Sequence, residues 1–467
     1  MREDQACGPC SNGSVVVSSM PLREDPGALS GPTRSAQIAA LTGLRGFAAM
    51  MVVLIHVAGM TEFDWLGIPE YGPVALFVLS GYLLYRPWAR WILRSGDRPA
   101  VRAFAKRRII RIFPPYLLVF LCVVAVSSAA RPADLRRWLQ SLSLTGIYTP
   151  DGLSRGFLHT WSLGTELSWY LALPIFGIVT AMVARRLHPR RAFWVAAGLI
   201  GLSVPVTAGW RWVSGHASWG PFAGTFWLPG YLACFACGAL LAHVVEADRA
   251  GVVSLGRLRR AAADPWVLPV LALALVLLGT STLGGPAGWR PTSFSQHQVR
   301  FVTSTGLAAT LLVIAVLGRQ SSLVHRVLTT RWSVALGRWS YGIYLWHLPI
   351  IFIIADNVVM PEGLRGLVAW LAIVLGLSIP LSAATYAWVE RPLLARARGE
   401  KQGAGGRASP AAAGSRPDAQ AVPAQADPSP EPREASERTR EPSAITATQA
   451  HATQPSSTVS LSAPPGG

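Results

Sequence analysis

The feature that most constrains this chain is a series of apolar runs, each about as long as a bilayer is thick, recurring from about residue 43 to residue 388. Crossing a bilayer takes about 20 residues of helix. Ten segments can be drawn, at about 43–60, 73–94, 112–128, 161–183, 193–209, 226–245, 267–283, 300–318, 336–355 and 366–388. The expected fold class is therefore all-α, a polytopic transmembrane helix bundle of about ten spans. The length of 467 residues would allow about three soluble domains. Only 14% of the residues are charged, however, where a soluble chain carries roughly 25%.

A net charge of +18 raises the question of nucleic acid. The basic residues sit in short clusters between apolar runs, and only Lys106 and Lys401 among them are lysines. That is the positive-inside pattern of a membrane protein, so no nucleic-acid partner is expected. With the ten segments alternating in direction, 29 Lys and Arg fall on one side and 8 on the other. Both termini are thus expected in the cytosol, and the protein in the cell membrane as a multi-pass chain.

The ends are compositionally distinct. Residues 1–36 read as a disordered cytosolic leader: Val15-Val16-Val17 is too short for a signal-peptide core, and Cys7-Gly8-Pro9-Cys10 has no βαβ pattern after it to make it a redox motif. Residues 396–467 are rich in Ala, Pro, Ser, Thr, Glu and Arg without periodicity and read as a disordered cytosolic tail, so no fused hydrolase domain is expected. Cys122, Cys234 and Cys237 lie in apolar runs and read as small hydrophobes.

Polar side chains at membrane depth cost about 2.5–3.5 kcal/mol on insertion scales, so each is a functional candidate. Arg45 and His56 are eleven residues apart, about 20° off three full helical turns, and project from one face of the first span. An Arg snorkelling to headgroups and a His bonded to a backbone carbonyl would explain them equally. In the fourth span Ser162, Glu166 and Tyr170 form a stripe at i, i+4, i+8. Glu166, entering from the outside, is expected at about the depth His56 reaches from the inside, so that the two meet. A first-turn acid complementing the helix dipole is the plainer account. Ser340, Tyr344 and His347 share a face of the ninth span, as a polar site or as satisfied core groups beside a Pro349 kink. Arg108 and Arg111, at i, i+3 beside the membrane, suit phosphate oxygens, or simply anchor the chain. Arg86, Arg90 and Arg94 continue the second helix and suit anionic headgroups.

Together these segments resemble the acyltransferase-3 family of integral membrane O-acyltransferases. The resemblance rests on Leu41-Thr-Gly-Leu-Arg45-Gly with His56, Phe77-Val-Leu-Ser80-Gly81-Tyr82, Arg107-Arg108-Ile-Ile-Arg111-Ile-Phe-Pro114, Trp161-Ser-Leu-Gly-Thr-Glu166-Leu-Ser-Trp-Tyr170 and Ser340-Tyr-Gly-Ile-Tyr344-Leu-Trp-His347. It places an acyltransferase membrane domain at 37–395. One departure is Ala75-Leu76, where the family often carries an acid before Phe-x-Leu-Ser-Gly.

The resemblance implies transfer of an acyl group, commonly acetyl, from acetyl-CoA or another acyl-CoA. The acceptor would be a hydroxyl of a sugar, glycolipid, cell-wall polymer or macrolide-type polyketide, with no metal involved. Arg45, Arg108 and Arg111 would hold the CoA phosphates. His56 would be the general base with Glu166 fixing its tautomer, while Ser80, Tyr170, Ser340, Tyr344 and His347 would contact substrate. An acyl-enzyme on His56 is the alternative route. The rival class is a transporter or flippase for a glycolipid or small metabolite, since intramembrane His, Glu and Arg also mark transport paths. An internal repeat would favour it, and none is found.

Overall fold

The computed structural model describes residues 33–68, 70–217, 224–285 and 293–397. Almost all of the tail expected at 396–467 and of the leader, and the whole Cys7–Cys10 motif, lie outside the described residues. Every regular element among the described residues is helical.

Nine of the ten apolar segments each coincide with one helix, and the fifth with two. The first is α1 (Arg34–Ala58), whose N-terminus is capped by Thr33 accepting the Ala36 N–H, followed by α2 (Tyr71–Ile92). Helix α3 (Val101–Val126) begins earlier than the apolar run it contains, so the Arg107–Arg111 cluster and the membrane segment form one continuous rod through Pro114 and Pro115. A short amphipathic helix, α4 (Leu135–Ser143), is tied to α3 by the Tyr116 hydroxyl donating to the Ser141 carbonyl at 2.7 Å. A 3-10 turn at Leu158–Thr160 then leads into α5 (Trp161–Ala184).

The fifth segment is interrupted at Leu202 into α6 (Pro189–Gly201) and α7 (Ser203–His216), and α8 (Leu228–Arg249) follows. Next, α9 (Gly256–Ala263) meets α10 (Val267–Gly279) at a 75° bend. Asp264 in that bend accepts the Trp266 and Val267 N–H groups, which holds its carboxyl below the usual range. The remaining helices are α11 (Phe294–Leu317), α12 (Leu323–Thr329), α13 (Arg331–Asn357) and α14 (Gly363–Thr385), the last continuing as a turn of π-helix over Tyr386–Glu390.

Among the described residues seven helices are long and apolar enough to cross a membrane, eight if the bent α9–α10 pair counts as one. The long helices outside that set are α2 and α13, which carry Tyr82, Tyr85 and Arg86, and Tyr341, Tyr344 and His347. Exposed Leu171, Ile175, Val179 and Met182 run along one side of α5, the pattern of a lipid-facing stripe. The opposite side of the same helix carries the buried or half-buried Ser162, Glu166 and Tyr170.

Close backbone approach sets the helix positions. A Cβ at Gly81 of α2 would lie 1.9 Å from the Phe235 carbonyl of α8, and one at Gly238 of α8 would lie 1.9 Å from the Val78 carbonyl of α2. Small residues at such crossings let transmembrane helices pack where apolar burial gives no drive. Phe77, stacked on Phe235 at 4.8 Å, fills the space beside that crossing and fixes the rotation that presents Ser80 to the interior. A buried carboxylate, Glu246 of α8, locks the same two helices by accepting from Arg86 at 2.8 Å and from Arg249 at 2.9 Å. Arg94 donates to the Arg185 and Leu187 carbonyls. Arg86 and Arg94 thus serve the architecture.

Candidate active site

The polar residues of α1, α2, α3, α5 and α13 form a ladder along the bundle. At its arginine-rich end, Arg45 of α1 and Arg108 and Arg111 of α3 line a cavity of about 340 Å³. The Arg108 guanidinium lies over the rings of Tyr170, at 5.5 Å, and Phe104, at 5.7 Å, and its buried Nε has no hydrogen-bond partner. Arg45 and Arg111 make no hydrogen bond or ion pair with any described residue. The donors of three guanidinium forks therefore converge on one space without being consumed by it.

One level further in stands Glu166. Its Oε1 accepts the Tyr170 hydroxyl at 2.7 Å, one helical turn away on α5, and the Ser80 hydroxyl from α2. The stripe at i, i+4 therefore acts as a unit: Tyr170 and Ser80 satisfy the carboxylate that the apolar surroundings would otherwise penalise. Ser340 of α13 lines the same cavity, its hydroxyl turned onto the Gly337 carbonyl at 3.0 Å.

The cavity ends at a pair of buried hydroxyls. Tyr344 donates to the His159 carbonyl, so the 2.8 Å bond between Tyr344 and Ser162 has Ser162 as donor. From Tyr170 to Ser162 the rise along α5 is about 12 Å, which is the depth of the cavity's wall.

Behind that pair three imidazoles meet. His347 Nε2 lies 3.3 Å from His56 Nδ1, and the His159 ring is 5.1 Å from that of His347 and 4.9 Å from that of Tyr344. The bonding fixes two tautomers, because a carbonyl only accepts. His56 Nδ1 lies 2.8 Å from the Val52 carbonyl and so carries its hydrogen; His347 Nδ1 lies 3.1 Å from the Ile343 carbonyl and does the same. His347 Nε2 then offers a lone pair toward the His56 Nδ1–H. What remains on His56 is an unprotonated Nε2, the atom a general base needs.

The structure thus brings Arg45, Ser80, Arg108, Arg111, Glu166, Tyr170, Ser340 and Tyr344 to one cavity, with His56 and His347 just past its closed end. It does not join His56 to Glu166 by a hydrogen bond; the groups at His56 Nδ1 are the Val52 carbonyl and His347 Nε2. The reason is depth. The turn at Leu158–Thr160 puts His159 at the level of His56, and Glu166 lies seven residues, about 10 Å, further in. Three neighbours of the site were not singled out from the sequence: His159, Tyr341, whose hydroxyl donates to the Ile112 carbonyl at 2.8 Å, and Glu390, buried near Arg45 and Arg111. His159 directly precedes the Trp161 motif and Glu390 closes the last apolar run, so position alone could have flagged both.

A family model described as an acyltransferase domain matches residues 38–387. The acyltransferase MdmB of Streptomyces mycarofaciens is 28% identical over 349 residues, covering 68% of this chain and 80% of that protein. The O-acetyltransferase OatA of Staphylococcus aureus is 23% identical over 378 residues, 76% of this chain. The chain spans only 56% of OatA's length. No solved structure matches.

Proposed function

The chain belongs to the acyltransferase-3 family of membrane acyltransferases, and from that premise we propose that it moves a short acyl group, acetyl first among them, from acyl-CoA to an acceptor hydroxyl. The observation that carries this reading is the cavity itself, which runs from three uncommitted guanidiniums to the wall beside the His56–His347 pair.

The arginine-rich end is taken as cytosolic, in keeping with the positive-inside asymmetry. The phosphates of the donor would sit on Arg45, Arg108 and Arg111, whose planar forks match phosphate oxygens. The pantetheine arm would run up the cavity past Glu166, with the thioester at the Tyr344–Ser162 pair. Opening of that hydroxyl pair joins the thioester to His56. A hydroxyl is a poor nucleophile, and His56 Nε2 would take its proton as the new carbon–oxygen bond forms, an effect worth about 10²–10⁴-fold. The resulting imidazolium would share its Nδ1–H between Val52 and His347, then return the Nε2 proton to the departing thiolate of CoA. The relatives, an O-acetyltransferase among them, support transfer to an oxygen acceptor, and the acceptor proposed here is a carbohydrate, cell-wall polymer, lipid or polyketide hydroxyl.

The test is release of free thiol from acetyl-CoA by the full chain in lipid nanodiscs, with sugars, muropeptides and macrolides offered as acceptors. Acceptor-dependent release is expected, with Arg108→Gln and Arg111→Gln raising KM for the donor more than they lower kcat. Absence of release or CoA binding under all acceptors, with substrate movement across the bilayer instead, would return the chain to the transporter class.

A further inference from the structure

Glu390 is the charged group for which the ladder has no use. It closes the π-helical turn Tyr386–Glu390 at the end of α14 and packs toward α3 and α13. Only 4% of its surface is exposed, and its Oε1 is buried without a hydrogen-bond partner. Its charged neighbours are Arg111 and Arg45, yet it bonds directly to neither. Single π turns inside α-helices recur at functional sites, and this one ends on a carboxylate whose charged neighbours are the two arginines.

The contrast with Glu246 is informative. That carboxylate sits directly on Arg86 and Arg249 and uses up their donors, as an architectural lock does. Glu390 supplies the same charge without occupying the guanidinium hydrogens. Arg45 and Arg111 are like charges held near one another, both half-buried on the wall of one cavity, an arrangement that costs energy unless an anion is close. When a polyphosphate arrives, the ligand takes over that office, and Glu390 becomes a like charge facing the ligand.

We propose that Glu390 is a built-in counter-anion, a positioning residue that stabilises the vacant donor site and weakens the hold on CoA, so that product leaves. The inference rests on the reading of Arg45, Arg108 and Arg111 as the donor's phosphate site. Carboxylate and ligand compete electrostatically for the same two cations. Removing the carboxylate therefore tightens CoA binding while destabilising the empty protein.

The test uses full-length protein in nanodiscs, CoA as the probe, and three readouts: CoA affinity by calorimetry, melting temperature with and without CoA, and kcat against KM. Glu390→Gln is expected to bind CoA more tightly, on the order of fivefold. It should melt below wild type when empty, regain more of that loss when CoA is added, and show a lower KM for acetyl-CoA. Glu390→Asp, which keeps the charge, is expected to stay within about twofold of wild type. If the Gln variant does not survive extraction, CoA present throughout purification should recover it, and failure to do so overturns the inference. Unchanged or weaker CoA affinity in Glu390→Gln also overturns it, since a residue that merely braces the arginines would loosen the ligand when lost. If wild type binds no CoA, or Arg111→Gln leaves its affinity unchanged, the donor site itself is misassigned and both readings fall.

Discussion

At the scale of single residues, the bonding around His56 decides which pairs of mutations interact. His56→Ala is expected to lower turnover by at least about 10²-fold in a folded, inserted protein, because it removes the proton acceptor. His347→Ala removes one of the two groups that hold the His56 Nδ1–H and should cost less, about tenfold. Acting through His56, it should add almost nothing in the double mutant. Glu166 touches Ser80 and Tyr170 instead, so Glu166→Gln should combine nearly additively with His56→Ala. Turnover of the two double mutants against their singles measures both couplings. Coupling of His56 with Glu166 and independence of His347 would reverse the assignment. The residue types and the shared helix faces were readable in the sequence, since a 3.6-residue period puts Arg45 with His56 and Ser162 with Glu166 wherever the helix lies. Which partner each meets was not. That depends on the offset between antiparallel helices, and a few residues of error in each boundary shifts the meeting point by two turns.

At the scale of elements, the α2–α8 crossing is the joint on which the site's geometry hangs. Gly81 follows Ser80 directly, and its missing Cβ is what allows the Phe235 carbonyl to approach. Gly81→Val is expected to destabilise the protein by about 1–3 kcal/mol. It should also lower activity beyond that loss, by turning Ser80 away from Glu166. Melting in detergent and activity per folded molecule separate the two effects, and a variant that melts early but works normally once folded would show that the Ser80–Glu166 bond is dispensable. Apolar periodicity announced ten helical segments, and each is helical. It did not announce the break at Leu202, the 75° bend before α10 or the π turn at Glu390. Such breaks arise where backbone and side chains compromise with neighbouring helices, information a single run of residues does not carry.

At the scale of the whole molecule, the ion pairs and carbonyl contacts made by Arg86, Arg94 and Arg249 gather at the same end of the bundle as the cavity's arginines. With that end cytosolic, a cysteine placed at Leu66 should react with an impermeant maleimide from outside the cell, and one at Ala100 only after permeabilisation. The opposite labelling would invert the route by which the donor enters. The Tyr344–Ser162 bond closes the cavity at its far end, with His56 on the other side. A donor seated in the cavity fills the space that leads there from the arginines, so in direct transfer the acceptor reaches His56 by another way while the donor is still bound. Steady-state rates measured at several fixed acceptor concentrations should therefore give double-reciprocal lines that intersect, the signature of a reaction in which both substrates are aboard before either product leaves.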